Sequence, residues 1–278
     1  MQSDVDQERI PDYVARQSLE GRVAVVVGSG RGIGRQSAHA LAQAGARVAC
    51  IDLEPGLAEH VAAEVAGVAF SADVRSVSAV EALFEEVAAT MGTPAVVVDI
   101  VGASERRRFS DLDPEFLQRV FDLNLFQAIQ VTRIAARHMA KAGGGSIVVI
   151  GSSAGITSLP EQIGYGAAKA ALHHFVTGAA SELGHTGIRV NAIAPGYIRT
   201  QRMVERFAAE QWAELAANTP LQRTGETTDI AGIVLFLAQD LSGYLTGQVL
   251  LADGGMLCPP RMIQSASRRQ IAGRATLE

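Results

Sequence analysis

Short apolar runs alternate with helical segments along most of this chain of 278 residues. The first run, 23–27 (VAVVV), is almost entirely β-branched, as expected of a strand that is covered on both faces. Because parallel strands are joined by helical crossovers, the alternation predicts an α/β fold: a doubly wound parallel sheet with helices on both faces. The seven predicted strands are 23–27, 47–52, 68–73, 95–101, 146–150, 188–193 and 248–253.

The alternation has no internal break, so we expect one domain over residues 21–257. Its predicted helices are 33–44, 56–66, 78–91, 114–142 and 165–183, of which 114–142 is one long helix or two abutting pieces. Three stretches fall outside the pattern. They are an N-terminal arm at 1–20, an amphipathic insert at 201–219 and a C-terminal tail at 258–278.

Composition and charge exclude several function classes. A net charge of −5 offers no basic surface for nucleic acid. No apolar run approaches the ~20 residues that span a bilayer, and the polar N-terminus does not resemble a signal peptide. Cys50 lies in a predicted strand far from Cys258, which favours a buried free thiol over a disulfide. No Cys/His/Asp cluster has metal-site spacing. We therefore expect a cytoplasmic protein that contacts no nucleic acid, no membrane and no metal.

A glycine-rich turn, GSGRGIG at 28–34, follows the first predicted strand and opens the first predicted helix. Glycine permits a tight turn and lets the backbone approach a pyrophosphate. The helix N-terminus adds free N–H groups and a positive dipole end. The turn therefore predicts dinucleotide binding, with a plain loop as the alternative.

Two acidic residues bear on the choice of dinucleotide. Asp52 ends the second predicted strand, where a carboxylate can accept hydrogen bonds from both adenosine ribose hydroxyls and repel a 2′-phosphate. It therefore favours NAD over NADP, although Arg31 in the glycine turn could meet a phosphate. Asp73, with Val74, ends the third predicted strand where an adenine would lie, and capping of the next helix is the alternative for Asp73.

Tyr165 and Lys169 lie four residues apart in YGAAK, on one face of a predicted helix. An ordinary tyrosine, with a pKa of about 10, cannot act as a base near neutrality. A neighbouring ammonium favours the phenolate and lowers that pKa. The spacing therefore predicts a proton exchanger for an alcohol or ketone, or, alternatively, an exposed helix face.

Residues 20–256 resemble the short-chain dehydrogenase/reductase family, in its common single-domain branch. The glycine spacing is similar to the family's TGxxxGIG, with Val27 in place of the Thr. Residues 165–169 resemble its YxxxK motif. Ser152, thirteen residues before the tyrosine, resembles the serine of its SxxG motif, and Ser153 is a rival one residue short. Asn124 resembles the asparagine that completes an Asn-Ser-Tyr-Lys tetrad.

The resemblance implies a Rossmann-like fold and hydride transfer between a nicotinamide cofactor and a secondary alcohol or ketone. It implies that Tyr165 is the general acid/base and that Lys169 lowers its pKa and binds the nicotinamide ribose. It also implies that Ser152 orients the substrate oxygen and that Asn124 helps to hold a proton-relaying water. The expected cofactor contacts are Gly28, Gly30, Arg31, Gly32, Ile33, Gly34, Asp52, Leu53, Asp73, Val74, Val101, Gly102, Tyr165, Lys169, Pro195, Gly196, Ile198 and Thr200.

One segment departs from the family pattern. The family's usual NNAG after the fourth strand is here Asp-Ile-Val-Gly at 99–102. A buried Asp99 would need hydrogen-bond donors. The change at Val27 removes a hydroxyl that in the family ties the glycine turn to this segment. We therefore hypothesise that the two departures compensate each other, and we expect cofactor binding to persist.

The resemblance also suggests where a small-molecule substrate would bind, in a pocket lined by 156–163, Tyr197 and the insert. Met203, Phe207 and Trp212 form an apolar lid or pack into the core, which favours a fairly apolar alcohol or ketone. The arginines at 106–108 either bind an anionic group, such as a carboxylate or a CoA phosphate, or lie in a solvated loop. The family commonly forms dimers or tetramers through the helix that carries Tyr165, so we expect a homo-oligomer in which His173 and His174 are structural.

Two alternatives remain open from the sequence. One is a 3-oxoacyl-thioester reductase acting on acyl-carrier-protein or CoA substrates with NADPH, which Asp52 disfavours. The other is a non-catalytic nucleotide-sensing or scaffold protein on the same fold. Such a protein would be expected to lose Tyr165 or Lys169, and this chain keeps both.

Overall fold

The computed structural model describes residues 10–258, and its centre is a sheet of seven parallel strands. The strands are β1 (Val23–Val27), β2 (Arg47–Asp52), β3 (Val68–Ser71), β4 (Pro94–Asp99), β5 (Gly145–Ile150), β6 (Ile188–Pro195) and β7 (Val249–Ala252). They pair in the order β3-β2-β1-β4-β5-β6-β7. The predicted doubly wound sheet is therefore confirmed.

Helices cover both faces of this sheet. They are α1 (Gly32–Gln43), α2 (Pro55–Glu64), α3 (Val77–Met91), α4 (Pro114–Phe121), α5 (Gln127–Lys141), α6 (Ile163–Leu183), α7 (Gln201–Val204), α8 (Ala209–Ala217) and α9 (Thr227–Ala238). Because side chains alternate along a strand, β1 sends Val25 and Val27 into a core with α3, α5 and α6. It sends Val26 into a second core with α1 and α9.

Helix α9 is an element that the sequence analysis did not predict. Its sequence, TTDIAGIVLFLA, is apolar on most sides, so it lacks the polar stripe that marks an amphipathic helix. Ile230, Val234 and Leu237 are fully buried in the core that α9 shares with α1. Burial on several sides explains why periodicity alone did not reveal this helix.

The predicted helix over 114–142 consists of two pieces, α4 and α5, joined by a π turn at Asp122–Phe126. The third and fourth strands each end two residues earlier than predicted, at Ser71 and Asp99. After Asp99 the chain leaves the sheet because the Asp99 carboxylate accepts the Val101 N–H at 3.1 Å, an Asx-type turn.

The predicted insert forms α7 and α8. Trp212 is only 5% exposed and packs edge-to-face on Phe207, with ring centroids 5.5 Å apart. Of the two roles predicted for this residue, packing into the protein is the one observed.

The chain termini fall partly outside the described residues. At the N-terminal end, Leu19 is fully buried and Arg16 donates to the Asp240 carbonyl oxygen, so the last part of the predicted arm packs on the domain. The C-terminal tail lies outside the described residues from 259 onward. Cys50 is a buried free thiol, as predicted. Over residues 10–258, none of the helices combines the length and apolarity required to cross a bilayer.

Candidate active site

The glycine turn between β1 and α1 has no room for side chains. A Cβ at Gly34 would collide with the carbonyl oxygen of Gly28, and a Cβ at Gly30 would lie 2.7 Å from Asp52 Oδ2. The bare backbone therefore lies against the N-terminus of α1, where N–H groups and the helix dipole favour an anion. This close-packed glycine cradle fits the pyrophosphate of a dinucleotide.

The Asp52 carboxylate is fixed at the rim of the same turn. Oδ2 accepts the Gly30 N–H at 3.0 Å and Oδ1 accepts the Glu54 N–H at 3.1 Å. These two donors use two of the roughly four acceptor positions of a carboxylate and leave the others for ribose hydroxyls. Arg31, the possible phosphate ligand, is exposed and lies 4.0 Å from the Glu54 carboxylate. Leu53 is exposed beside them.

Asp73 follows β3 and forms an ion pair with Arg75 at 2.7 Å. Hydrogen bonding to this guanidinium lowers the pKa of Asp73. The cap of α3 is Ser76, whose hydroxyl accepts the Ala79 N–H at 3.4 Å, so the helix-capping alternative for Asp73 is wrong. Val74, beside Asp73, is buried in the core.

The segment after β4 connects the glycine turn with the predicted catalytic residues. Val101 borders Gly28, and a Cβ at Gly102 would lie 3.0 Å from Lys169 Nζ. Asn124, on the π turn, accepts the Ala103 N–H at 2.9 Å and donates to the Ala103 carbonyl at 3.1 Å. Single π turns inside helices are frequent at functional sites, and this one aims Asn124 at the segment.

Ser152 and Tyr165 meet at the carboxyl end of β5. The Ser152 hydroxyl accepts the Ala154 N–H at 3.1 Å, and its proximity to the Tyr165 side chain helps to lower the tyrosine's pKa. Ser153, the next residue, is buried. Of the two serines left open by the sequence, Ser152 is the one that lies beside Tyr165.

Lys169 lies one helical turn after Tyr165 but points elsewhere. Its ammonium donates to the Ile150 carbonyl oxygen at 2.8 Å and lies 6.0 Å from the centroid of the tyrosine ring. Burial raises the pKa of Tyr165, and the smaller opposing contributions come from Ser152 and the charge of Arg202. The net pKa of Tyr165 is therefore raised, because burial dominates, and the lowering of this pKa by Lys169 stays a prediction.

His173 of α6 contacts the turn that contains Ser152. Its Nε2 accepts the Ser152 N–H at 3.4 Å, a long contact. Burial, with a contribution from the Lys169 charge, lowers the pKa of His173 to about 4, so the imidazole is neutral near pH 7. The sequence analysis predicted a structural histidine here but had no signal for its contact with the serine turn.

The chain after β6 folds over the glycine turn. Pro195 closes the strand, and the Gly196 N–H donates to Ala252 at 2.9 Å. Thr200 caps α7, and its Cγ2 lies 3.5 Å from where a Cβ of Gly32 would be. Ile198, by contrast, packs its side chain into the core.

A cleft of about 790 Å³ opens beside Asn124. Its walls contain four arginines, of which Arg75 is paired with Asp73, and Arg119 lies 3.9 Å from Glu105. The other two, Arg202 and Arg206, form no salt bridge within residues 10–258.

Of the three arginines at 106–108, Arg107 contacts other side chains of this chain. It bonds Asp113 at 2.8 Å and stacks on Phe116. Arg106 lies 6.0 Å from the Phe207 ring.

Most of the chain is similar to known proteins. Residues 27–257 match a family model described as enoyl-(acyl carrier protein) reductase. The chain is 33% identical over 242 residues to the 7alpha-hydroxysteroid dehydrogenase of Escherichia coli strain K12, covering 85% of this chain and 94% of that protein. It is 35% identical to a 3-oxoacyl-(acyl-carrier-protein) reductase of Haemophilus influenzae, covering 86% of this chain and 99% of that protein.

A solved structure is similar over the same region. It is a 7 alpha-hydroxysteroid dehydrogenase complexed with NADH and 7-oxo glycochenodeoxycholic acid. The TM-score is 0.84 at 32% identity, with 88% of this chain and 98% of that chain covered.

Proposed function

This chain belongs to the short-chain dehydrogenase/reductase family and is an oxidoreductase, and from that premise we propose that it interconverts a secondary alcohol and its ketone with NAD. The observation that carries the proposal is the convergence of Ser152, Tyr165 and Lys169 beside the segment that borders the glycine turn. Ser152 follows β5, and Tyr165 and Lys169 lie on α6, at the carboxyl end of the sheet where this fold binds nucleotides.

The protein's part in this chemistry is positioning and proton transfer. Bound NAD supplies the hydride acceptor, and NADH the donor in the reverse direction. Tyr165 removes the hydroxyl proton of the alcohol, or returns it to the ketone oxygen. Ser152, which lies beside Tyr165, donates to the same substrate oxygen and stabilises its developing charge.

Lys169 and Asn124 position the groups around Tyr165. Lys169 is fixed at Ile150 and offers two further N–H donors, which suit the nicotinamide ribose hydroxyls. Its charge would favour the Tyr165 phenolate, because a nearby ammonium stabilises the charged form of a phenol. Asn124 fixes the loop at Ala103 that closes this side of the site.

The preference for NAD rests on Asp52. Its carboxylate is held by Gly30 and Glu54 at the rim of the glycine turn, where a 2′-phosphate would face a negative charge. Glu54 is the acidic neighbour of Arg31 and offsets the one cation of the turn.

A second candidate function is reduction of 3-oxoacyl thioesters. The observation that favours it is the pair Arg202 and Arg206, two cations without acidic partners in the described residues that line the cleft. Thioester carriers contain phosphate groups, which guanidinium groups bind well. The same cations would also suit an alcohol that carries a carboxylate.

We also expect a homo-oligomer. The exposed apolar side chains Phe126 and Ile163 lie on the π turn and at the start of α6, the helix through which the family commonly associates. Light scattering coupled to size exclusion would give the mass, with a dimer or tetramer expected and a monomer contradicting the proposal.

The test of function is a reduction and oxidation assay with NAD(H) and NADP(H) separately. Its substrates are cyclic alcohols, hydroxysteroids with and without a carboxylate, and acetoacetyl-CoA. Turnover of an alcohol or ketone with NAD(H) is the expected result. Preference for acetoacetyl-CoA with NADPH would select the second candidate. Cofactor binding with no turnover of any substrate would point to a nucleotide-sensing protein.

A further inference from the structure

Asp99 is a buried carboxylate to which the proposed mechanism gives no role. It is the last residue of β4, only 2% exposed, and its Cα pairs with Val27 of β1 and Val149 of β5. An ionised carboxylate is rarely buried to this degree without a charged partner. We therefore expect a charged partner of Asp99 among the groups packed at this end of β4.

Strand alternation shows on which side that partner lies. Val97 belongs to the core that contains Ala168 and Leu172 of α6, and Val98 belongs to the opposite core. Because residues two apart share a face of the sheet, Asp99 points to the same side as Val97. That is the side on which α6 carries Lys169.

Lys169 reaches the same place from the helix. It too is only 2% exposed, and its ammonium donates to the carbonyl of Ile150, the residue after Val149. Its Nζ also lies against Gly102, three residues after Asp99. The two charges are thus enclosed together at the ends of adjacent strands, and they interact through space rather than by a direct ion pair.

The hydrogen bonds of Asp99 leave part of its charge uncompensated. Oδ1 accepts the Val101 N–H at 3.1 Å, while Oδ2 has no hydrogen-bond partner within residues 10–258. The nearby Gln127 amide donates instead to the Val101 carbonyl at 3.2 Å. A buried ionised oxygen without a donor is costly, and a nearby cation offsets that cost.

We propose that Asp99 is a positioning residue that acts through Lys169, and that its carboxylate is the counter-charge that keeps the ammonium protonated in the buried site. The proposal rests on the role of Lys169 in the proposed function. The family's usual asparagine at this position is neutral, so the counter-charge is a property of this chain.

The electrostatics of both groups are consistent with this role. Burial lowers the pKa of Lys169, and the charge of Asp99 raises it again. Burial raises the pKa of Asp99, and the Val101 N–H and the charge of Lys169 lower it. The other groups facing this pair are the titratable Tyr165 and His173 on α6 and the neutral amides of Gln127 and Asn124.

The test compares the midpoint of thermal unfolding of the full-length chain and its Asp99→Asn variant between pH 5 and pH 10. Asparagine has the shape of aspartate but no charge. Because burial raises the pKa of Asp99 despite the nearby ammonium, the variant should gain stability relative to the parent near neutral pH, and this gain should fade on acidification, as Asp99 is protonated in the parent. Without the counter-charge the buried ammonium should lose its proton at lower pH, so the rise in stability that accompanies deprotonation of Lys169 should begin at a lower pH in the variant than in the parent. A rise that begins at the same pH in both proteins would overturn the proposal.

Two further variants sharpen this test. Ser146→Ala removes a buried hydroxyl of β5 that bonds Leu237 of α9 at 2.7 Å, on the opposite face, and its loss should not vary with pH. Lys169→Met should make Asp99→Asn more stabilising near neutral pH than it is in the parent, because Lys169→Met leaves an anion without its cation. An equal effect of Asp99→Asn in the two backgrounds would contradict the proposal.

If Asp99→Asn alone does not fold, Lys169→Met in the Asp99 background carries the test. Its loss of stability should shrink or reverse on acidification, as the lone carboxylate is protonated. A loss unchanged by pH would count against a counter-charge. None of these measurements uses turnover, so absence of alcohol oxidation would refute the proposed function without affecting this result.

Discussion

The ammonium of Lys169 donates a hydrogen bond to the carbonyl oxygen of Ile150 at 2.8 Å. This contact ties α6 to the end of β5 and holds the charge 6.0 Å from the centroid of the Tyr165 ring. The helical spacing of four residues brings the two side chains to one face of α6, but the hydrogen bond decides the direction of the ammonium. Lys169 is therefore placed to act on Tyr165 through its charge and not through a direct hydrogen bond.

Replacing Tyr165 with Phe should abolish turnover and leave cofactor binding intact. The ring stays in place, but the proton exchanger is lost, and general acid–base catalysis contributes about 10²–10⁴-fold. The measurements are kcat and the Kd for NADH by fluorescence. Tyr244→Phe, which removes the hydroxyl of a fully exposed tyrosine, is the matched control. Near-normal turnover in Tyr165→Phe would refute the assignment.

The two adjacent serines provide a matched pair of variants. Ser152→Ala should reduce kcat by about 10²-fold or more, because it removes the donor that stabilises the developing oxyanion. Ser153→Ala should leave kcat within a few-fold of the parent, since Ser153 is buried and Ser152 is the serine that affects the pKa of Tyr165. Equal losses in the two variants would show that the turn as a whole, and not the Ser152 hydroxyl, matters.

Asp52→Asn should weaken the discrimination against NADP. The carboxylate at the rim of the glycine turn repels a 2′-phosphate, and removing one partly exposed charge at this range changes binding by about tenfold. The ratio of kcat/KM for NAD and NADP is the measurement. Asp73→Asn, which removes a carboxylate already paired with Arg75, is the control and should leave the ratio unchanged.

Arg202→Gln should move the rising limb of the pH profile for alcohol oxidation to higher pH. The charge of Arg202 lowers the pKa of Tyr165, so its removal raises that pKa and the phenolate forms later on alkalinisation. Arg206→Gln removes the neighbouring cation of the cleft wall, which does not contribute to the pKa of Tyr165, and serves as the control. A limb that does not move in Arg202→Gln would mean that the substrate or cofactor screens Arg202 from the tyrosine.

Val27 and Asp99 are register partners on β1 and β4, which gives their hypothesised compensation a structural basis. Val27→Thr and Asp99→Asn, made singly and together, should be non-additive in the free energy of unfolding by about 0.5–3 kcal/mol. Urea unfolding at constant pH measures the coupling. Additive effects would show that the two positions are independent.

Much of the site could be predicted because its residues act through local spacing. The glycine turn needs only its own small residues and the adjoining helix, and Tyr165 and Lys169 need only a helix. The spacing to Tyr165 already favoured Ser152 over Ser153, and the structure adds that Ser152 is the serine that affects the pKa of Tyr165. Helix α9 escaped prediction because its burial against α1 removes the polar stripe that reveals most helices.

The sequence alone determined the alternation of strands and helices, apart from α9, and the candidate residues for nucleotide binding and proton transfer, because these depend on local periodicity and spacing. Only the tertiary structure decided the electrostatics. Burial raises the pKa of Tyr165 against the expectation from its neighbour, and the fold brings Asp99, 70 residues before Lys169 in the chain, to the same buried strand ends. Desolvation and long-range proximity are properties of the packed molecule, so no local pattern could show them.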